Sequence, residues 1–288
     1  MCGDDTSNHK ILGQRLNLSQ GLNPKKKEGI SVTVKKCRNC GLIYSSPLPV
    51  PHQMSDHYGL AAEDYWSPEF FNYSTSWFAR EVTVLQQLLP FYPGQKALDI
   101  GAGLGKTMVT LEKSGYDAYG FEPSQSFYEK AVSHIGIKPD RLKLNKIETV
   151  EYPEEEFDFI SFGAVFEHLY HPAAALEKAL KWLKPGGIIH MEIPSTDYLV
   201  PKIIDFYFRL RGTNYTTHLS PMHNPFHLYE FSLKSYQELS KKLGFSIVKH
   251  EYMVCNISPQ IPKFLHGIFR AYMQKTNTGM QLVVWLKK

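Results

Sequence analysis

Leu98-Asp99-Ile100-Gly101-Ala102-Gly103-Leu104-Gly105 decides how the rest of this chain is read. Lys96 to Ile100 is a short apolar run that predicts a buried strand, the glycines follow it, and a helical pattern follows them. That order puts the loop at the carboxyl end of a strand, where open α/β sheets bind ligands. Glycines let a ligand approach the backbone, and a helix N-terminus favours an anionic group. Spacing then separates the ligand classes. A phosphate-binding P-loop needs a glycine five residues before Gly105-Lys106, and Ile100 stands there. A dinucleotide fingerprint needs Gly-x-Gly-x-x-Gly, and this loop is one residue short. A third pattern has an acid before the glycines and a second acid ending the next strand. Asp99 and Glu122 stand in those places.

Outward from the loop, strand and helix patterns alternate. Tyr116 to Phe121, Arg141 to Leu144 and Phe157 to Phe162 read as strands, with a helix over Ser124 to His134. Pro172 opens a helix where a missing N–H costs nothing, and Pro185-Gly186-Gly187 closes it. Ile188 to Ile193, Phe245 to His250 and Gln281 to Leu286 read as strands, and Ser232 caps a helix ending at Leu243-Gly244. Upstream, Phe78, Val82, Leu85 and Leu89 recur at helical spacing until Pro90. The alternation predicts an α/β fold, a mostly parallel sheet with helices on both faces. Residues 194–231 break the rhythm with aromatic residues and histidines, as a lid or acceptor-binding segment would. Pro47, Pro49 and Pro51 mark a boundary. The reading is therefore an N-terminal arm and module over 1–51 and a larger domain over 52–288. Aromatic residues Tyr58, Tyr65 and Trp66 open the latter.

The chain has 288 residues, 43% hydrophobic and 21% charged, the balance of an ordinary globular protein. No apolar run reaches the ~18 residues of a spanning helix. Met1 to Lys10 is polar, without a signal-peptide pattern, so a cytoplasmic location is expected. Four cysteines exclude a disulfide scaffold. Residues 1–40 hold eight bases, Lys25, Lys26 and Lys27 among them, against three acids, including Glu28. That is +5 of a total of +4, so the other 248 residues sum to −1. Such an arm suits RNA, anionic lipid or a phosphorylated substrate, or serves only solubility. Val200 to Leu210 and Ile261 to Met273 are apolar and aromatic with interspersed Lys and Arg. They meet a membrane surface or, as expected here, pack on the sheet.

The glycine loop with its two acids resembles the cofactor motif of class I S-adenosylmethionine (SAM)-dependent methyltransferases. Phe157-Asp158-Phe159-Ile160, Glu167-His168-Leu169 and Leu183-Lys184-Pro185-Gly186-Gly187 follow in the family's order. The resemblance implies a Rossmann-like sheet of seven strands, the last antiparallel and inserted between the fifth and sixth. It implies that Gly101, Ala102, Gly103 and Gly105 lie against SAM, with Asp99 supporting the loop. Glu122, followed by Pro123, would accept from the ribose hydroxyls, which suits a group with two acceptor oxygens. Lys146, Ile147 and Gly163 fall at positions that flank the cofactor in the family.

Cys37-Arg38-Asn39-Cys40 is a Cys-x-x-Cys knuckle, and one pair cannot close a tetrahedral zinc site. Its placement before the methyltransferase core is similar to a subgroup acting on sugars and other small molecules, with an N-terminal zinc module. That implies structural zinc on Cys2, Cys37 and Cys40, with His9 as a substitute fourth ligand; a metal-free degenerate module is the other reading. Methyl transfer needs positioning first and, for an oxygen or nitrogen acceptor, often a base. His168, His171, His218, His223 and His227 are the candidates, with Glu167, His168 and His227 in family-like positions. The reading is a methyltransferase for a small-molecule acceptor such as a nucleotide-linked sugar. RNA modification through the basic arm, and a non-catalytic SAM-binding module, stay open beside it, as does a homodimer.

Overall fold

The computed structural model describes residues 1–17, 29–51, 68–255 and 262–288. Lys25, Lys26, Lys27, Glu28, Tyr58, Tyr65, Trp66 and Ile261 lie outside the described residues. In chain order the strands and helices are β1 (Lys10–Leu16), β2 (Ser31–Lys36), β3 (Ile43–Ser46), α1 (Ala79–Leu88), β4 (Lys96–Ile100), α2 (Lys106–Lys113), β5 (Asp117–Glu122), α3 (Gln125–Lys130), β6 (Leu142–Leu144), β7 (Phe157–Gly163), α4 (Pro172–Trp182), β8 (Leu183–Pro194), α5 (Leu199–Leu210), β9 (Tyr229–Glu230), α6 (Leu233–Leu243), β10 (Ser246–Met253), α7 (His266–Thr276) and β11 (Gln281–Lys287).

Seven strands form one sheet in the order β10-β11-β8-β7-β4-β5-β6. β11 runs antiparallel to both its neighbours, and the pairs β8-β7, β7-β4, β4-β5 and β5-β6 are parallel. Strand order reverses between β4 and β7, which opens a crevice at their carboxyl ends. Period-two alternation feeds a core on each face. Leu98, Ile100, Ile160 and Phe162 pack with Leu176 of α4 and Leu239 of α6. Ala97 and Phe159 pack the other way, against Val82 and Leu85 of α1 and Met108 and Leu111 of α2.

Local chemistry explains the helix limits. Pro172 sits in the first turn of α4. Ser232 caps α6 in a reciprocal box with Ser235, and Gly244 ends it at φ 75°. Two limits differ from the sequence reading. The helix expected over Ser124 to His134 is α3 followed by a π-helical turn over Ala131–Ile135. Pro185-Gly186-Gly187 is no separating loop but lies inside β8. A register shift between the pairs Phe157↔Leu183 and Phe159↔Ile188 absorbs it, with Gly186 at φ 80°.

A second, four-stranded sheet has the order β1-β2-β3-β9, all antiparallel. Its last strand comes from the 194–231 segment, so residues 1–51 do not close a sheet by themselves. Ile43↔Glu230 and Tyr44↔Tyr229 make the join. Cys37, Cys40 and Leu42 belong to the same buried cluster as β4, β7 and α4. The hydroxyls of Ser232 and Ser235 both donate to the Cys40 carbonyl, at 2.7 and 2.9 Å, tying the knuckle to the start of α6. The 194–231 segment is not all loop either: it contains the twelve-residue α5. No helix among the described residues is long and apolar enough to cross a membrane.

Candidate active site

A cavity of about 970 Å³ lies over the carboxyl ends of β4, β5, β7 and β8. Asp99, Gly101, Ala102, Gly103, Glu122, Pro123, Lys146, Ile147 and Gly163 line it. Gly105 does not: it starts α2 at φ 74°, and a Cβ there would meet Ile137 at 2.6 Å. Gly103 has the opposite surroundings. At φ 54° a Cβ would meet nothing within 4 Å, so it would project into open space.

Parallel pairing sets the wall beside the glycine loop. Asp99 pairs with Ser161 across β4 and β7, and the Ser161 hydroxyl donates to its carboxylate. Glu122 ends β5, beside the loop. Its Oε2 accepts from the Gly103 N–H and its Oε1 from the Ser124 N–H, each at 2.8 Å. Burial pushes both carboxyls up to about 7; hydrogen bonds from Ser161, and from Ser124 and Gly103, only partly offset it. A carboxylate with two acceptors per oxygen keeps capacity for further donors, so Glu122 fits a ribose diol. Lys106, next to the glycine loop, does not face an anion. Its ammonium donates to the Phe70 carbonyl and lies 3.8 Å from the Phe70 ring centroid and 4.8 Å from that of Trp77. This is the physical counterpart of the failed P-loop spacing.

Across the cavity, Glu167, His168 and His227 come together. Glu167 Oε1 lies 4.0 Å from His168 Nε2 and 3.9 Å from His227 Nε2, and the two rings are 4.9 Å apart. His168 Nδ1 is 3.2 Å from the Phe226 carbonyl. A carbonyl only accepts, so His168 donates through Nδ1, and in the neutral ring Nε2 carries the lone pair. Burial pulls His227 down to about 4, and burial pushes Glu167 up to about 8. At pH 7 the His227 ring is therefore neutral and the Glu167 carboxyl largely protonated.

The other histidines serve the architecture. His218 Nδ1 bonds Glu230 at 2.6 Å, with Asp205 4.0 Å from its Nε2. Burial lowers its pKa, but Glu230 and then Asp205 outweigh it, so the net shift is upward. His223 Nε2 meets Arg15 at 3.1 Å, and His171 is the residue before α4. Sequence reasoning missed this network of Arg15, Asp205, His218 and Glu230. Its members are polar residues in unrelated patterns, and only their burial marks them. Ser161 was missed for the same reason, and the Phe226 carbonyl because a backbone acceptor leaves no mark in the sequence.

At the knuckle, Cys2, Cys37 and Cys40 place their sulfurs within 4.8 Å of one another, and so do ligand atoms of Asp4, His9 and Cys37. Cys2 and Cys37 sulfurs are 3.6 Å apart. His9 Nδ1 bonds the Tyr44 hydroxyl at 2.7 Å, and its buried Nε2 lies 3.6 Å from Asp4.

Sheet order, glycine loop and the acid ending the second strand together define a class I SAM-dependent methyltransferase fold. The comparisons agree. Residues 78–250 match the Methyltransferase domain family, and the chain belongs to it. A SAM-dependent methyltransferase from Archaeoglobus fulgidus shares the fold at TM-score 0.51 and 17% identity, over 74% of this chain and 92% of that one. One from Mesorhizobium loti does so at TM-score 0.50 and 15% identity, over 73% and 98%. Among curated relatives, phosphoethanolamine N-methyltransferase 3 of Arabidopsis thaliana is 31% identical over 135 residues, 43% of this chain and 26% of that protein. A ubiquinone biosynthesis O-methyltransferase of Methylococcus capsulatus is 28% identical over 99 residues, 33% and 42%. The chain thus spans well under half the length of these two relatives.

Proposed function

We propose that this chain transfers a methyl group from SAM to a small-molecule acceptor, an activated sugar or another intermediate of surface-polysaccharide or natural-product synthesis. The observation that carries the reading is Glu122, turned onto the Gly103 N–H inside the cavity that His168 also lines. Glu122 would hold the ribose, Gly101 to Gly103 the methionine end, and Ile147 and Lys146 would flank adenine. When bound, SAM supplies an electrophilic methyl whose sulfonium leaves as a neutral thioether. His168 Nε2 takes the proton that an O–H or N–H acceptor must lose, and Glu167 and His227 hold its surroundings. Positioning in line with the methyl carries the rest of the acceleration. The reducing conditions of a cytoplasm suit the free thiols.

We place the chain in the subgroup with an N-terminal zinc module. Cys2, Cys37 and Cys40 would hold the ion and His9 Nε2 would complete a tetrahedral set, its Nδ1 kept in place by Tyr44. Metal analysis of the purified protein is expected to give one zinc per chain, lost in Cys37→Ser; a metal-free, folded wild type would remove zinc.

Calorimetric titration with SAM tests the donor site. Wild type is expected to bind, and Glu122→Ala to bind about 2 kcal/mol more weakly, roughly 30-fold, from the loss of hydrogen bonds to a charged group. Failure of folded wild type to bind SAM would end the methyltransferase reading. Affinity for RNA that falls steeply with salt, with methylation of that RNA, would instead favour the RNA-modifying alternative.

A further inference from the structure

We propose that the outward faces of α5 and α7 dock this protein on an anionic lipid surface at the mouth of the cavity. The sequence reading expected both stripes to pack inward. Only one side of each does so: Val200, Phe208 and Met273 are buried. On the other side of α5, Ile203, Phe206 and Leu210 are 44%, 60% and 70% exposed. Phe264, in the turn before α7, and Ile268 and Tyr272 within it are 81%, 67% and 54% exposed. The spacing of four residues makes the second set one continuous stripe. Exposed aromatic and aliphatic side chains in such a row mark an interaction surface rather than the scattered apolar residues of an ordinary exterior.

Topology puts both faces at the working end of the sheet. α5 leaves the carboxyl end of β8, and α7 lies between the end of β10 and the start of β11. Gln281 pairs with both Pro194 and Met253, so these three chain ends are level, and all three line the cavity. The Leu199 N–H donates to the Thr278 carbonyl at 3.2 Å and stitches the two helices' ends together.

Charge selects the occupant. Arg209, Arg211, Lys263 and Lys275 rim the stripes. Asp205 is the one acid within 199–212 and 263–276; it is 5% exposed and held by Thr216 and Thr217. A second copy of this chain on the same face would set these cations against their own counterparts. A nucleic acid would neutralise the cations but leave the apolar stripes in water. An anionic bilayer surface accepts both, the stripes among the acyl chains and the cations at the headgroups. Any acceptor carried by a lipid would then enter the cavity directly from the surface that holds the enzyme.

The docking does not depend on the methyl-transfer reading and is tested without turnover. The full chain is mixed with phosphatidylcholine vesicles, with and without phosphatidylglycerol, and sedimented at low and high salt. Binding is expected only with phosphatidylglycerol and is expected to weaken as salt screens the charges. Phe264→Ser with Ile268→Ser, and separately Lys263→Glu with Lys275→Glu, are each expected to weaken it about tenfold, with unchanged melting temperature. All four positions are exposed, so folding should survive the changes. No association at low salt, or association that both double variants leave intact, overturns the proposal. A dimer that the serine variant dissociates, without vesicle binding, overturns it in favour of a second copy.

Discussion

Glu122 and Glu230 are both buried carboxylates lining one cavity, and they are held in opposite ways. Glu122 takes its donors from the backbone two residues on and from the neighbouring loop. Glu230 takes His218 and the Leu219 N–H, and Arg15, more than 200 residues away, donates to the Leu219 carbonyl at 2.8 Å. Burial raises Glu122, whereas for Glu230 the charge and hydrogen bond of His218 overcome burial and lower it. The wall that the proposed function gives to the methyl donor is thus a local strand–loop–helix unit, poised near neutrality for a ligand to finish. The opposite wall, which the proposed function gives to the acceptor, is a closed ionic network that needs β1 and the 194–231 segment to be assembled first.

The sharpest break in that contrast is His218→Leu. It leaves Glu230 buried without its partner, and the stability cost is expected to be about 3–5 kcal/mol. Urea unfolding measures it, and a loss under 1 kcal/mol would show that the network is not what holds the acceptor side. SAM affinity of the folded fraction should hardly change, because the donor loop has its own support.

His168→Ala comes next. Proton removal by a positioned base contributes about a hundredfold or more, so kcat should fall by that factor on an O–H or N–H acceptor while SAM affinity stays. An equal fall in SAM affinity would make His168 part of the donor wall instead.

The smallest effect is a pH dependence of SAM binding. Glu122 and Asp99 sit near 7 in the free protein because burial disfavours their charge. Ribose hydroxyls donating to Glu122 would favour the carboxylate and lower its pKa, so binding releases a proton. Affinity should then be level above about pH 7 and fall by up to about tenfold per unit below it. Glu122→Gln should flatten the profile; an unchanged slope in that variant would assign the proton to Asp99.

Much of the cavity wall around the glycine loop was legible because its residues are neighbours in sequence or sit at the ends of adjacent parallel strands. Asp99, Gly101, Gly103 and Glu122 needed no long-range information. Gly105 shows the limit, since the same pattern concealed a packing role against Ile137. Pro185-Gly186-Gly187 shows another: turn-forming residues became a bulge once β7 and β11 offered hydrogen bonds on either side.

The order of strands and helices from β4 to β8, and the acid–glycine–acid signature, followed from sequence alone, because hydrophobic period and turn residues act over a few positions. Which histidines face the cavity, which is spent on Glu230, and that β9 completes the N-terminal sheet were decided only by the tertiary structure. Those pairings join residues 12 to more than 200 apart, and only the register of the packed sheets brings them within a hydrogen bond's length.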